Sequence, residues 1–287
     1  MEISATVVLD SVNPDRDRLT TLLLVFPKWL QAELNTHRAI SKSSASSRAI
    51  PVEKTMARVR KDPFVPAWWG ANKKGMSAAE EVARPEECAA YWLSAAESAM
   101  AYAAKLKMLG VHKQHVNRLL EPFLWTSALV SATEWNNFFH QRCPADGPQP
   151  EMSELANKIL AAVRGSEPTS VAWGGWHVPF GDRYLPGLTR EQQVMVSTAR
   201  CARQSYENFH GEIDHEDDFR LYRDLLLELH MSPFEHCAYA DPEPRLAEGQ
   251  TVTPPMLSRL ALRSNFRGWV QHRKQIRGEN RSHRYDG

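Results

Sequence analysis

"LTTLLLVFPKWLQAELNTHRAISKSSASSRAIP", residues 19–51, changes character twice. An apolar, β-compatible run (TTLLLVF, 20–26) passes through an aromatic stretch to Thr36-His37-Arg38, and then to a serine-rich segment closed by Pro51. Upstream, ISATVVL (3–9) alternates and NPDRD (13–17) supplies turn residues, which predicts a hairpin whose second strand runs into the His-Arg pair. A strand that ends in His-Arg and continues into a serine loop offers charge-assisted donors, hydroxyls and backbone amides, the inventory for holding phosphate. In that reading Arg48 clamps the phosphate as a bidentate fork and Ser46 adds one hydrogen bond. The same residues also suit a polar surface loop whose serines cap its turns.

Outward from this stretch, PEECAAYWLSAAESAMAYAAKLKML (85–109) is rich in helix formers, with Pro85 at a tolerated first-turn position and Gly110 as a stop. A second helical region is expected over 113–142, bent near Pro122, and a third over EMSELANKILAAV (151–163). The Gly- and Pro-rich stretch 166–188 reads as a connector, which divides the chain into parts 1–165 and 189–287. Thr189 with Gln192 forms a capping-box pattern ahead of REQQVMVSTARCARQSY (190–206), and FRLYRDLLLELH (219–230) places Phe219, Tyr222, Leu226 and Leu229 on one helical face. The fold class expected is α+β, an antiparallel or mixed sheet with a helical bundle.

The 287 residues, 43% of them hydrophobic, can bury a sizeable core, and the net charge of +1 excludes whole-chain electrostatics as a route to nucleic acid. The longest apolar run, Leu22–Phe26, is far below the roughly 20 residues of a membrane span, and no signal-peptide pattern precedes it. A cytoplasmic protein with no membrane contact is expected. Cys88, Cys143, Cys201 and Cys237 form no C-x-x-C pair, so neither a zinc ribbon nor a disulfide framework is supported. His112 and His115 lack a third ligand, and no metal is expected. There is no G-x-x-x-x-G-K, G-x-G-x-x-G or G-x-S-x-G pattern. Arg118 and Arg142 each sit among apolar residues, where an arginine facing the core needs an anion beside it. A nucleotide site lined by Arg48, Arg118 and Arg142 is one reading, and ion pairs with Glu121, Glu134 or Glu151 are the other. Glu235 and His236 are adjacent and are not expected to act as a dyad.

The two ends of the chain echo one another. THR (36–38) is followed by Ser46-Ser47-Arg48, and QHR (271–273) by Ser282-His283-Arg284. Together these segments resemble the flavin-dependent thymidylate synthases, the ThyX family, whose signature is R-H-R, seven residues, then Ser. Thr36 stands in place of the first Arg. LGVHKQHVNRLLEPF (109–123), TEWNNFFHQRC (133–143), ARCARQSY (199–206) and LHMSPFEH (229–236) are similar to further blocks of the family, in an order that looks circularly permuted, as in a ThyX-like group of phages and some bacteria. The chain departs from the pattern at Glu33, where the family has Gln, and at Ser43-Ser44, where it has Asn-Glu.

The resemblance implies an enzyme that binds FAD, reduces it with NADPH and transfers a one-carbon unit from methylenetetrahydrofolate to C5 of dUMP. It implies dUMP contacts from Ser46, Ser47, Arg48, Arg118 and Arg142, and flavin contacts from His37, Arg38, Asn137, Ser205, Ser232 and Glu235. Arg142 and Ser46 then act in catalysis with His230 close by, and no cysteine nucleophile is needed. It implies a homotetramer with sites between subunits. Two rivals are a dUMP or dCMP hydroxymethylase or methylase for phage DNA modification, and a non-catalytic protein that binds nucleic acid through the basic HRKQIRGENRSHR (272–284).

Overall fold

The computed structural model describes residues 1–75, 80–144, 148–181, 187–206, 214–242 and 260–279, the side chains of 204–206 excepted. The hairpin forms as the alternation predicts: β1 (Ser4–Val12) pairs antiparallel with β2 (Arg18–Pro27). Beyond β2, a single 3-10 turn (Lys28–Leu30) and α1 (Gln31–Leu34) intervene before β3 (Ser41–Ser44). The His-Arg pair therefore does not end the strand; it lies in the turn between α1 and β3. Next come α2 (Val52–Lys61), α3 (Pro85–Met108) and α4 (Lys113–Val116). The helical region expected over 113–142 is interrupted: after a 3-10 segment carrying Pro122, residues 125–132 form β4 (Trp125–Ala132). WTSALVSA is β-compatible through its Trp, Thr and Val, and it is hydrogen-bonded on both sides, with Ala128, Val130 and Ala132 on one face and Ser127, Leu129 and Ser131 on the other. Then follow α5 (Asn136–Arg142) and α6 (Pro150–Gly165).

The five-stranded sheet is completed by β5 (Thr169–Ser170), in the order β3-β4-β2-β1-β5, with only β1 and β5 parallel. One face packs on α6. Leu22, Leu24 and Phe26 of β2 and Ala128, Val130 and Ala132 of β4 meet Met152, Leu155 and Ile159 there, in line with the period-2 alternation of a strand. The stretch read as a connector also contributes β6 (Trp176–His177), which joins β7 (Ala238–Ala240) and β8 (Trp269–Gln271) in a second sheet ordered β6-β7-β8. Between them lie α7 (Arg190–Tyr206) and α8 (His215–Leu227). The capping box opens α7 as expected, with Gln192 N donating to Thr189 Oγ1 at 3.3 Å and Thr189 N to Gln192 Oε1 at 2.9 Å. The buried face of α8 differs from the one expected. It is Asp218, Tyr222 and Leu225, because Asp218 accepts from Arg200 Nε at 3.1 Å and Arg203 Nε at 2.9 Å, while Leu229 lies past the helix end, half exposed.

The second sheet side covers the other face of the large sheet. Gly268 has φ +70°, and a Cβ there would collide with Asp17 and Asn13, so only glycine lets the 13–17 turn close on β8. Asn13 Nδ2 donates to Gly268 O at 3.0 Å, sealing the contact.

Candidate functional site

The loop from Ala45 to Pro51 is held by side chains the sequence reading passed over. Asn117 is fully buried and donates from Nδ2 to Ser47 O at 2.7 Å and to Ile50 O at 2.9 Å. Lys28 Nζ donates to Ala45 O at 2.9 Å and Lys113 Nζ to Ala49 O at 3.1 Å. Four carbonyls of the serine loop are thus held by side chains from outside it. The available signal was Asn117 itself, a polar residue inside the apolar run VNRLLEPF.

A cavity of about 560 Å³ opens against this loop, lined by Lys28, Trp29, Gln31, Ser44, Ser46, Ser47, Arg118 and Glu121 among others. Three of the expected dUMP contacts, Ser46, Ser47 and Arg118, meet here although some seventy positions separate them. Arg118 does not face the core; its side chain is exposed and its Nη1 donates to both Glu121 oxygens, at 3.0 and 3.1 Å. The indole N–H of Trp29 is buried with no hydrogen-bond partner. Two cations and three serine hydroxyls make a lining suited to an anion, Glu121 being the group an anion must displace. Arg48 is exposed and lines neither this cavity nor the next, its backbone N–H donating to Ser46 Oγ at 3.3 Å.

The second cavity, about 400 Å³, is lined by Thr36 to Ile40, Glu134, Asn137, Phe138 and Gln141. It gathers three expected flavin contacts, His37, Arg38 and Asn137. Behind it, Arg142 Nε donates to His37 Nε2 at 2.9 Å, and Arg142 Nη1 also pairs with Glu33. An imidazole that accepts at Nε2 carries its proton on Nδ1 and is neutral, and burial, then Arg142 and Lys42, lower its pKa. So Arg48, Arg118 and Arg142 do not line one site in this chain. The turn 35–40 stands between two cavities, with Asn35 lining one and Thr36 the other.

The remaining expected residues lie in the C-terminal part. Ser232 and Glu235 bound a 3-10 turn, and Glu235 is paired with Arg273 of the second His-Arg copy. Arg273 and Lys274 also hold the buried Glu279. His272 bonds Tyr222 Oη at 2.9 Å and stacks on its ring, and burial lowers its pKa to about 4. The second copy is thus engaged in internal contacts, whereas the first lines a cavity. His230 is exposed and lines neither cavity. The side chain of Ser205, and Ser282 and Arg284, lie outside the described residues.

Between the two sheets runs a buried chain of hydrogen bonds. Ser11 Oγ meets His177 Nδ1 at 2.8 Å, His177 Nε2 meets Thr21 Oγ1 at 2.8 Å, and Thr21 Oγ1 meets Ser131 Oγ at 2.6 Å. Ser131 Oγ then meets His236 Nδ1 at 2.8 Å, and His236 Nε2 meets Ser43 Oγ at 2.9 Å. Both imidazoles are fully buried, and burial lowers each pKa to about 3. His236 and Glu235 therefore point to different partners, as expected of a pair that is not a dyad.

Among the described residues no group of His, Cys, Asp and Glu can hold a metal, and no helix is long and apolar enough to cross a membrane. No family model and no curated protein matches the sequence. Among solved structures the chain is similar to the UMP/dUMP methylase PolB from Streptomyces cacaoi, bound with 5-Br UMP or with 5-Br dUMP. Identity is 14% in both, with TM-scores of 0.46 and 0.45, over 56% of this chain and 88% and 90% of those chains.

Proposed function

We propose that the chain is a nucleotide-modifying enzyme, a flavin-dependent thymidylate synthase that methylates dUMP at C5 with a one-carbon unit from methylenetetrahydrofolate. The observation that carries this is the convergence of Ser46, Ser47 and Arg118 with Lys28 on one cavity beside the signature turn. In this reading Arg118 and Lys28 neutralise the phosphate of dUMP and the serine hydroxyls donate to its oxygens. Arg142 lines neither cavity; in this reading its part within one chain is to hold the His37 ring beside the second cavity while paired with Glu33.

The donor set of the second cavity fits part of a flavin: His37 offers Nδ1–H, Arg38 a guanidinium and Asn137 an amide. FAD, when bound there and reduced by NADPH, would supply the hydride that turns the transferred carbon into a methyl group. His37, Arg38 and Asn137 would hold it beside the turn that also borders the nucleotide cavity. Ser232 and Glu235 lie in a different part of the chain, and we assign them no contact within one chain.

A methylase or hydroxymethylase acting on dUMP or dCMP is a second reading, motivated by Glu33 and Ser44, where the chain departs from the family pattern, Ser44 lining the nucleotide cavity. The test is to purify the protein, record its flavin spectrum and analyse by mass the products from dUMP and dCMP. Yellow protein that releases FAD on denaturation and yields dTMP is the expected result; colourless protein that cannot be reconstituted sinks the enzyme reading.

A further inference from the structure

A third cavity, about 450 Å³, has no part in the nucleotide or flavin readings and shares no lining residue with the other two cavities. The end of a strand creates it. β3 pairs with β4 only from Ser41 opposite Ser131 to Ser44 opposite Ala128, so residues 125–127 of β4 have no strand on that side. The chain leaves β3 as the serine loop and returns as α2, which brings Arg58 and Lys61 to the uncovered stretch. Val25, which stands opposite Ser127 on β2, joins Leu124 and Trp125 as an apolar side of the cavity. Phe64 meets the Trp125 ring edge-on, with 5.4 Å between ring centroids. The charged groups of the lining are the Met1 ammonium, Arg58, Lys61 and Asp62. Asp62, the single carboxylate in that lining, is paired with the Met1 ammonium, so Arg58 and Lys61 leave a positive excess.

We propose that this cavity binds a small organic anion, a flat apolar body that carries one carboxylate or sulfonate. The body lies against Val25, Leu124 and Trp125, and the anionic group meets Lys61 and Arg58. Thr126 and Ser127 add hydroxyls between the two. Size and lining agree with this, since sites for small organic ligands are clefts of roughly 300–1,000 Å³ with apolar walls and a few placed polar groups. A lone inorganic anion would leave the apolar side unused, and an uncharged ring system would leave the positive excess unmet. A gap of about 20 Å³ separates this cavity from the nucleotide cavity, lined by Lys28, Ala45 and Ser47 of the one and Arg58, Leu124 and Trp125 of the other. It has room for about one water and passes no ligand. The two occupants therefore do not overlap, and the proposal does not rest on the nucleotide reading.

The test is titration calorimetry with 2-naphthoate and with its uncharged analogue 2-naphthalenemethanol, each repeated with dUMP present, and circular dichroism as the check on folding. Saturable binding of 2-naphthoate, at least about tenfold tighter than the alcohol and not displaced by dUMP, is the expected result. Lys61→Gln should weaken 2-naphthoate by about tenfold. Ser127→Phe, which puts a ring into the cavity, should remove the binding. Lys61 is exposed, so the first variant decides the matter even if the second does not fold. No saturable binding overturns the proposal, as does an alcohol that binds as tightly as the carboxylate. Displacement by dUMP, or an affinity unchanged in folded Lys61→Gln protein, places the anion elsewhere and overturns it too.

Discussion

Arg118 is already engaged by Glu121, so a phosphate entering the cavity competes with a carboxylate. The pair is exposed on the arginine side and contributes little to folding. Arg118→Ala should therefore weaken dUMP binding by about tenfold to a hundredfold, the loss of about 1.5–3 kcal/mol for a hydrogen bond to a charged group, with thermal stability unchanged. Titration calorimetry with dUMP reads the first part and a melting curve the second; unaltered affinity would remove Arg118 from the site. Arg142 behaves differently because it and Glu33 are each less than a third exposed. Arg142→Leu leaves a half-buried carboxylate and His37 Nε2 without their donor, and should cost about 1–3 kcal/mol in denaturant unfolding. It should also let the His37 pKa rise toward its ordinary value, which ring-proton NMR would follow; a pKa that stays put would mean that burial and Lys42 set it without Arg142. From sequence these two arginines looked alike, each flanked by apolar residues. What separates them is the neighbour: Glu121 is three positions away and readable, while Glu33 meets Arg142 only through the fold.

At the scale of elements, strands told by alternation were the readable ones. The β1–β2 hairpin announced itself by alternation and a turn, but β4 carries Thr126 on one face and Ser127 and Ser131 on the other, so no clean period of two marks it, and helical neighbours on either side absorbed it. A β-bulge between Val7 and Leu9 matters more than its size suggests. Before it, Ala5 and Val7 stand opposite Leu24 and Leu22 and pack toward α6; after it, Ser11 stands opposite Leu19 and turns to the other face. No alternation rule applied to β1 would put Ser11 there. The bulge thus aligns Ser11 with Thr21, Ser131 and Ser43, one hydroxyl on each of four strands, all on the face that receives His177 and His236. Ser131 sits mid-chain with a partner on each side, and Ser131→Ala removes both contacts at once, leaving Thr21 and His236 short of a partner in a dry site. A loss of about 2–4 kcal/mol is expected from two unsatisfied buried groups, measured as a shift of the denaturation midpoint. A loss under about 0.5 kcal/mol would mean that the chain of bonds contributes nothing net to stability.

Across the whole molecule, that chain of bonds is what sets the second sheet against the first, and it works only with neutral imidazoles. A neutral ring accepts at one nitrogen and donates at the other, so all five bonds can run in one direction from Ser11 to Ser43 or in the reverse. Protonation turns the accepting nitrogen into a second donor and sets it against a hydroxyl already donating to it, in a site closed to water. His177 sits in the stretch that looked like a connector, and His236 beside a residue taken for a flavin contact, so neither was legible as half of a seam; their common surroundings exist only once two sheets are stacked. The pH consequence follows from the sign of the shift. Each imidazole takes a proton at about 6.5 in the unfolded chain and at about 3 in the fold, so the unfolded state binds protons first as pH falls. Stability is fully present above pH 6.5 and is lost progressively down to about pH 3. At about pH 4.5 the pair should have cost about 5 kcal/mol, from about 1.4 kcal/mol per unit for each ring, before His272 adds its own smaller share in the same direction. Urea midpoints taken between neutral pH and about pH 4.5 should fall steeply, and a His177→Gln/His236→Gln variant, if it folds, should show a shallower fall. Ring-proton NMR of the native protein decides the matter even if that variant does not fold, because a buried histidine that titrates near its ordinary value would leave the seam without its pH dependence.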